Sequence, residues 1–108
     1  MKKLLLTAGC VAALLAVRTT NAAQAGDAAK GKDVFEQCGV CHNVDTDEKK
    51  IGPSLKGLYK RAKLKNGKPV TDENVLKMIN TGGNGMPSYA DTLSDQEKKD
   101  VLAYLKTV

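Results

Sequence analysis

Cys38-Gly39-Val40-Cys41-His42 constrains this chain more than any other stretch. Two thiols three positions apart, followed at once by an imidazole, match the attachment site of a c-type haem. Each thiol can add to one vinyl group of the macrocycle, giving two thioethers. The adjacent His42 is then held under the ring, where an imidazole nitrogen can ligate the iron from the proximal side. His42 is the sole histidine among the 108 residues, so no other imidazole competes for that role. Two rival readings of the cysteine pair are weaker. A redox disulfide of the thioredoxin kind expects a βαβ setting, and no strand pattern surrounds the motif. A structural zinc ion expects four protein ligands, and the only further cysteine is Cys10, close to the N-terminus.

The first 25 residues read as a leader rather than as part of a fold. Lys2 and Lys3 form a short basic region, and Leu4 to Val17 is a mostly apolar run. Small residues at Ala23 and Ala25 precede Gly26, the pattern of a secretory signal peptide over residues 1–25 cleaved after Ala25. The apolar run is too short to span a bilayer. Leu6-Thr7-Ala8-Gly9-Cys10 offers an alternative in which Cys10 is acylated. Against it, Val11 to Val17 remain apolar where a polar tether is expected after a lipid, so Cys10 reads as an ordinary member of the run. The expectation is an exported, periplasmic protein, soluble rather than anchored, with residues 26–108 as one domain.

Removing the leader changes the charge balance. The whole chain holds 17 basic and 12 acidic residues. Lys2, Lys3 and Arg18 belong to the leader, which leaves 14 basic against 12 acidic. Two haem propionates would bring that near neutrality. The basic character of the full chain is therefore largely a matter of targeting, and no nucleic-acid binding is implied. The remaining domain is small, has Phe35, Tyr59, Tyr89 and Tyr104 as its aromatic residues, and has no Trp. Domains of this size need a staple. A covalently tethered haem would be both staple and core, so the chain without it should be poorly folded.

Three segments carry helix signals and none reads as a strand. Asp27 is a plausible N-cap for a helix through about Gln37, in which Gly31 signals a close backbone approach. Thr71-Asp72-Glu73 opens a second helix, with Val75, Leu76 and Ile79 at helical spacing and a stop at Gly82-Gly83. Ser94-Asp95-Gln96-Glu97 is a capping box, followed by Val101, Leu102, Tyr104, Leu105 and Val108 as an apolar face. A short helical turn is expected around Leu55 to Tyr59. The fold class is all-α, three to four helices with long loops wrapped around one covalent haem.

An iron that moves electrons needs a second axial ligand, and a thioether sulfur favours the ferrous state. Met86 lies in Gly82-Gly83-Asn84-Gly85-Met86-Pro87, a glycine-rich loop that can bring its backbone close to a flat ring. Met78 sits in the second helix beside Ile79, where methionine is usually core filler. Met86 is the expected ligand and Met78 the expected core residue.

With these residues in place the chain resembles the class I c-type cytochromes of the short bacterial type, over nearly all of residues 26–108. Gly31, Phe35 and Cys38 to His42 are similar to that family's N-terminal helix and attachment site. Val101 to Leu105 is similar to its C-terminal helix, which crosses the first at the small residue and the aromatics. The resemblance implies that the carbonyl of Pro53, in Gly52-Pro53-Ser54-Leu55, accepts a hydrogen bond from His42. It makes Arg61 a candidate for a haem propionate, the alternative being a solvated charge. It departs from the family pattern in lacking a propionate-side Trp and in a middle section shorter than in mitochondrial relatives. The implied activity is one-electron transport without catalytic residues, with Cys38, Cys41, His42 and Met86 binding the cofactor and His42 and Met86 ligating its iron. The implied partners are redox proteins met through a transient interface by a monomer. Lys49 to Thr71 holds eight basic residues and no acidic ones. That asymmetry is either a solvated face or a surface that steers the protein onto an acidic partner.

Overall fold

The computed structural model describes residues 25–108. Apart from Ala25, the expected leader and the alternative at Cys10 lie outside the described residues. Helix α1 spans Ala28–Phe35, and the Asp27 carboxylate accepts from the Ala29 and Lys30 amides as a true N-cap. It ends two residues before the expected Gln37. Cys38 and Gly39 instead return their amides to the Phe35 carbonyl, and the chain continues in turns through the attachment motif.

Helix α2 spans Asp72–Thr81 and opens on Thr71, whose hydroxyl accepts from the Asn74 amide at 3.1 Å. It closes at Gly82, whose φ of 63° is a conformation only glycine adopts freely. Helix α3 spans Asp95–Leu105 behind the full capping box. Ser94 Oγ accepts from the Glu97 amide at 3.1 Å, and Glu97 Oε1 accepts from the Ser94 amide at 3.0 Å. The expected turn before α2 is a 3-10 turn at Leu58–Lys60, displaced because Gly57 reverses the chain at φ 66°. Among the described residues there are no strands, only isolated bridges at Lys63–Pro69 and Gly83–Met86.

Helices α1 and α3 cross where Gly31 lies on α3. A Cβ at Gly31 would overlap the Asp100 carbonyl and come 2.8 Å from the Tyr104 Cβ, so only glycine permits this approach. One turn on, the Phe35 and Tyr104 rings pack at 5.3 Å between centroids and 51° between planes. Phe35, Leu58, Val75, Ile79, Leu93, Val101, Leu102 and Leu105 form the buried cluster. Tyr104 and Val108, expected on the apolar face of α3, are half-buried at its rim. Met78 differs from expectation. It is half-buried and does not pack on the cluster, because Val75 and Ile79 fill the inward positions of α2; Met86 does pack on it.

Candidate cofactor site

The attachment motif winds as one turn after α1. The amides of Cys41 and His42 both donate to the Cys38 carbonyl at 3.0 Å, which gathers two thiols and an imidazole around a single turn. Both cysteines are free and half-buried. Burial first, and then the neighbouring Cys41, raise the Cys38 thiol above its usual value, so it is held as the neutral thiol.

His42 is fixed on two sides. Its Nδ1 lies 2.7 Å from the Pro53 carbonyl, which can only accept, so Nδ1 carries the proton and Nε2 keeps its lone pair. Gly52 lies flat against the ring, and a Cβ there would stand 2.5 Å from His42 Cε1 and 2.8 Å from Nδ1. The Gly52 amide also donates to the Cys41 carbonyl at 2.8 Å, tying this loop to the motif. Behind it, the Leu55 amide and the Ser54 hydroxyl both reach the Asn43 carbonyl, at 2.8 Å and 3.4 Å.

Met86 sits in a tight reversal. Gly83 and Met86 exchange backbone hydrogen bonds at 2.9 and 3.0 Å across Asn84 and Gly85, whose φ values are 52° and 89°. Both central residues are left-handed, the signature of a turn that asparagine and glycine favour. Tyr89, on the same loop, has its hydroxyl pKa raised by burial first and then by the nearby Cys38 and Cys41. Cys38, Met86 and Tyr89 all pack against the same buried cluster.

Arg61, expected at a propionate or in solvent, donates through Nη2 to the carbonyls of Ser54 at 3.1 Å and Lys56 at 2.6 Å. It braces the Pro53 loop and borders a cavity of about 680 Å³ lined also by Asp47, Lys49 and Lys65. Two contributors went unassigned in the sequence. Gly52 could have been flagged as a glycine whose reason is space against His42. Asn43 acts through its carbonyl, which no side-chain signal marks.

The donor set suits a c-type haem. Two free thiols, an imidazole with only Nε2 uncommitted, and a thioether on a glycine-built turn are the groups that cofactor uses. Among the described residues no three His, Cys, Asp or Glu side chains converge as a metal cage would require.

Relatives agree with that chemistry. A family model described as cytochrome c matches residues 28–108, and the chain belongs to the cytochrome c family. Cytochrome c6 of Thermosynechococcus vestitus is 30% identical over 106 residues, covering 97% of this chain and 91% of that one. Cytochrome c2 of Blastochloris viridis is 33% identical over 101 residues, covering 78% and 80%. Among solved structures, cytochrome c6 of the diatom Phaeodactylum tricornutum superposes with a TM-score of 0.61 at 26% identity, covering 76% of this chain and 93% of that one. As a cytochrome c, the protein carries covalent haem c with its iron and is an electron carrier rather than an enzyme.

Proposed function

We propose that this protein is a periplasmic one-electron carrier whose single haem c is bound through thioethers to Cys38 and Cys41, with His42 and Met86 as axial ligands. Residues 1–25 are the leader, cleaved after Ala25, and residues 26–108 are the working domain, a monomer with no role in nucleic-acid binding. The observation that carries this is the lock on His42. The Pro53 carbonyl accepts the Nδ1–H hydrogen bond at 2.7 Å and Gly52 closes the ring face, so Nε2 is the one imidazole lone pair left, on the same turn as two free thiols.

When bound, the haem supplies the one-electron ferric/ferrous couple. The chain does the rest. The Pro53 carbonyl raises the basicity of the imidazole and prevents it from turning. Gly83, Asn84 and Gly85 set the direction of Met86. The cluster around Phe35, Leu58 and Ile79 keeps water from the site. No side chain gains or loses a proton in the transfer itself.

Partner contact is supported by the surface beside the thiols. Val40 and Ile51 are large apolar residues left 69% and 76% exposed. Their segments are joined by Lys50 Nζ, which donates to the Gly39 carbonyl at 3.0 Å. Lys65, which lines the same cavity as Lys49, belongs to a short reversal closed by the Lys63–Pro69 bridge, on which Lys63 and Lys68 are also exposed. An apolar contact edged by lysines suits brief docking on an acidic redox protein. No helix among the described residues is long and apolar enough to cross a membrane.

The test is spectroscopic. Protein matured in a host with haem-ligation machinery should give a pyridine haemochrome of the two-thioether type. Its ferric form should show the weak far-red sulfur-to-iron band. Met86→Ala should lose that band and bind carbon monoxide when reduced, while Met78→Ala keeps the band. A band that survives in Met86→Ala and vanishes in Met78→Ala would reassign the ligand. Pigment extracted by acidic acetone would reject covalent attachment. Charge reversal at Lys60, Lys63 and Lys65 to Glu should slow electron delivery at low salt, and rates indifferent to ionic strength would reject steering.

A further inference from the structure

Asp100 is a buried carboxylate that electron transfer does not use. It is 3% exposed, on the face of α3 that meets the start of α1. Buried charge is costly unless it is paired. Its Oδ1 accepts from the Asp27 amide at 2.8 Å and from Gln96 Nε2 at 3.0 Å. Its Oδ2 accepts no hydrogen bond among the described residues, and it has no ion-pair partner among them within 4.0 Å.

The segment laid against it is Ala25–Asp27. The Ala25 carbonyl accepts from Gln96 Nε2 at 3.1 Å. Gly26 lies so near α3 that a Cβ would overlap the Lys99 carbonyl and stand 2.8 Å from the Ala103 Cβ. The Gly26 amide donates to nothing among the described residues, one residue before the Asp27 amide that already meets Asp100. α3 therefore grips the chain at the bond expected to be cut, beside the residue whose amide meets Asp100.

We infer that Asp100, with Gln96 and the Lys99 carbonyl, is the seat of the α-ammonium group that hydrolysis of the Ala25–Gly26 bond creates. This rests on the proposed cleavage after Ala25. Water adds across the peptide bond in the export peptidase. Ala25 leaves with the carboxylate, and Gly26 keeps the amine, which takes up a proton at neutral pH. The new cation lies one peptide unit from Asp100, and the carboxylate gains the charged partner that an amide N–H cannot be. Glycine is needed at this position because any side chain would push the new terminus off α3. Processing then does more than release the protein: it completes the α1–α3 crossing.

The surroundings suit a cation. Burial works against charge on Asp100, yet the Asp27 amide, the Gln96 amide and the Lys30 charge together hold its carboxyl below the usual range. It is therefore ionised at neutral pH, where the amine is protonated. Lys30 on α1, Lys99 on α3 and the capping Asp27 are the other charged groups near the seat, the two lysines opposing the new cation and Asp27 favouring it. An amine paired with a carboxylate titrates above its ordinary value of about 7.7–8.0. The pair is thus formed at neutral pH; it is lost as pH rises through the raised amine value and also as pH falls through the lowered carboxyl range.

The experiment uses the haem-loaded protein as exported. Intact mass first identifies its N-terminus. Competitive amine labelling across pH, read by peptide mass, then gives the midpoint of the Gly26 amine. The expected midpoint lies about one unit above the ordinary value, with labelling near pH 8 slowed by several-fold. Asp100→Asn should return both to normal. Urea unfolding supplies a second measurement, comparing chains that start at Gly26 with chains whose cut is moved upstream so that residues 22–25 remain. Asp100→Asn should lower the folding equilibrium at least several-fold more in the first than in the second. A chain that starts at Gly26 with an ordinary amine midpoint and an equal cost in both backgrounds overturns the seat and leaves the leader reading standing. A chain that starts elsewhere, or carries lipid on Cys10, overturns both.

Discussion

Gly52→Ala isolates the lock on His42. Gly52 does not use the left-handed backbone region, so alanine fits its conformation and the change adds one methyl group and nothing else. That methyl would stand 2.5 Å from His42 Cε1, 2.8 Å from Nδ1 and 3.1 Å from Nε2. Ordinary carbon–carbon contact is about 3.5–4.0 Å, so ring or loop has to give by roughly 1 Å. Neither is free to do so. The ring is held to Pro53, the very next residue, at 2.7 Å, and the loop is held to Cys41 through the Gly52 amide at 2.8 Å. Overpacking of this kind costs about 1–3 kcal/mol. Loss of one of the two hydrogen bonds adds about 0.5–1.5 kcal/mol. A total of about 1.5–4.5 kcal/mol is below the usual stability of a small domain, so the variant should fold with a lower urea midpoint. Because the strain falls on the imidazole, its haem absorption should shift as well. Gly57→Ala is the control: it lies at φ 66° with no atom within 4 Å of the added carbon. It should cost about 1–2 kcal/mol through backbone strain alone, with an unchanged spectrum. Equal spectra and equal urea midpoints for Gly52→Ala and the parent would refute the proposed lock.

Two further changes probe the frame. Ser94→Ala removes the hydroxyl that caps α3 and should cost about 0.5–2 kcal/mol, read as a lower Tm with the haem spectrum intact. Asp72 joins three elements, accepting from Tyr59 Oη at 2.8 Å and pairing with Lys106 Nζ at 2.9 Å. Lys106 first and then Tyr59 hold its carboxyl below the usual range. Its folded pKa is depressed, so its contribution is present above the unfolded value and disappears as pH falls through the folded one. The pair is half-exposed, which limits Asp72→Asn to about 0.2–1 kcal/mol at neutral pH, and the gap to the parent should close in urea titrations run at strongly acid pH.

Much of this was legible because caps act over three or four residues. Asp27, Thr71 and the Ser94–Glu97 box announce their helices within one turn, and all three start where the side chains say. Gly31 was legible as a crossing point, since a glycine inside a helix has to be explained by space. The end of α1 was not. Cys38 to His42 winds a turn of its own on the Cys38 carbonyl, and propensity does not see that competition. The displaced 3-10 turn follows from Gly57, whose reversal is set by φ rather than by apolar pattern. Lys98 occupies an inward position of α3 in step with Val101, Leu102 and Leu105. It is tolerated there because its ammonium reaches the Ala90 carbonyl at 2.9 Å. Asp100 lies off that stripe, and its burial comes from the α1 crossing, a tertiary fact with no periodic signature. The Pro53–His42 bond was legible only through family resemblance, because a carbonyl acceptor is the same in every residue.

The cofactor's share of the stability can be argued from the same core. Eight apolar residues are buried, and among the described residues Val101 is the only large side chain below 2% exposure. Leu55, Leu64, Val70, Leu76, Met86 and Tyr89 stop at the rim, half-buried. A fully buried aliphatic side chain contributes about 1.5–3 kcal/mol, whereas ordering each residue costs about 1–2 kcal/mol in backbone entropy alone. Eight such residues cannot order a domain of this length. The crossing of α1 and α3 has its own contacts through Gly31, Phe35 and Tyr104, whereas the Met86 loop is held by the Gly83–Met86 bridge and by hydrogen bonds from Ser88 and Tyr89 to the end of α2, with Met86 and Tyr89 only at the rim of the cluster. The two halves should therefore respond differently when haem cannot attach. In Cys38→Ala/Cys41→Ala made without haem, far-UV circular dichroism should fall well below the loaded protein, and amide exchange should be fast throughout the Met86 loop. Residual protection should be confined to α1 and α3. Native helix content and a cooperative thermal transition in that variant would mean that the polypeptide core suffices by itself, and the dependence on a covalent prosthetic group would have to be abandoned.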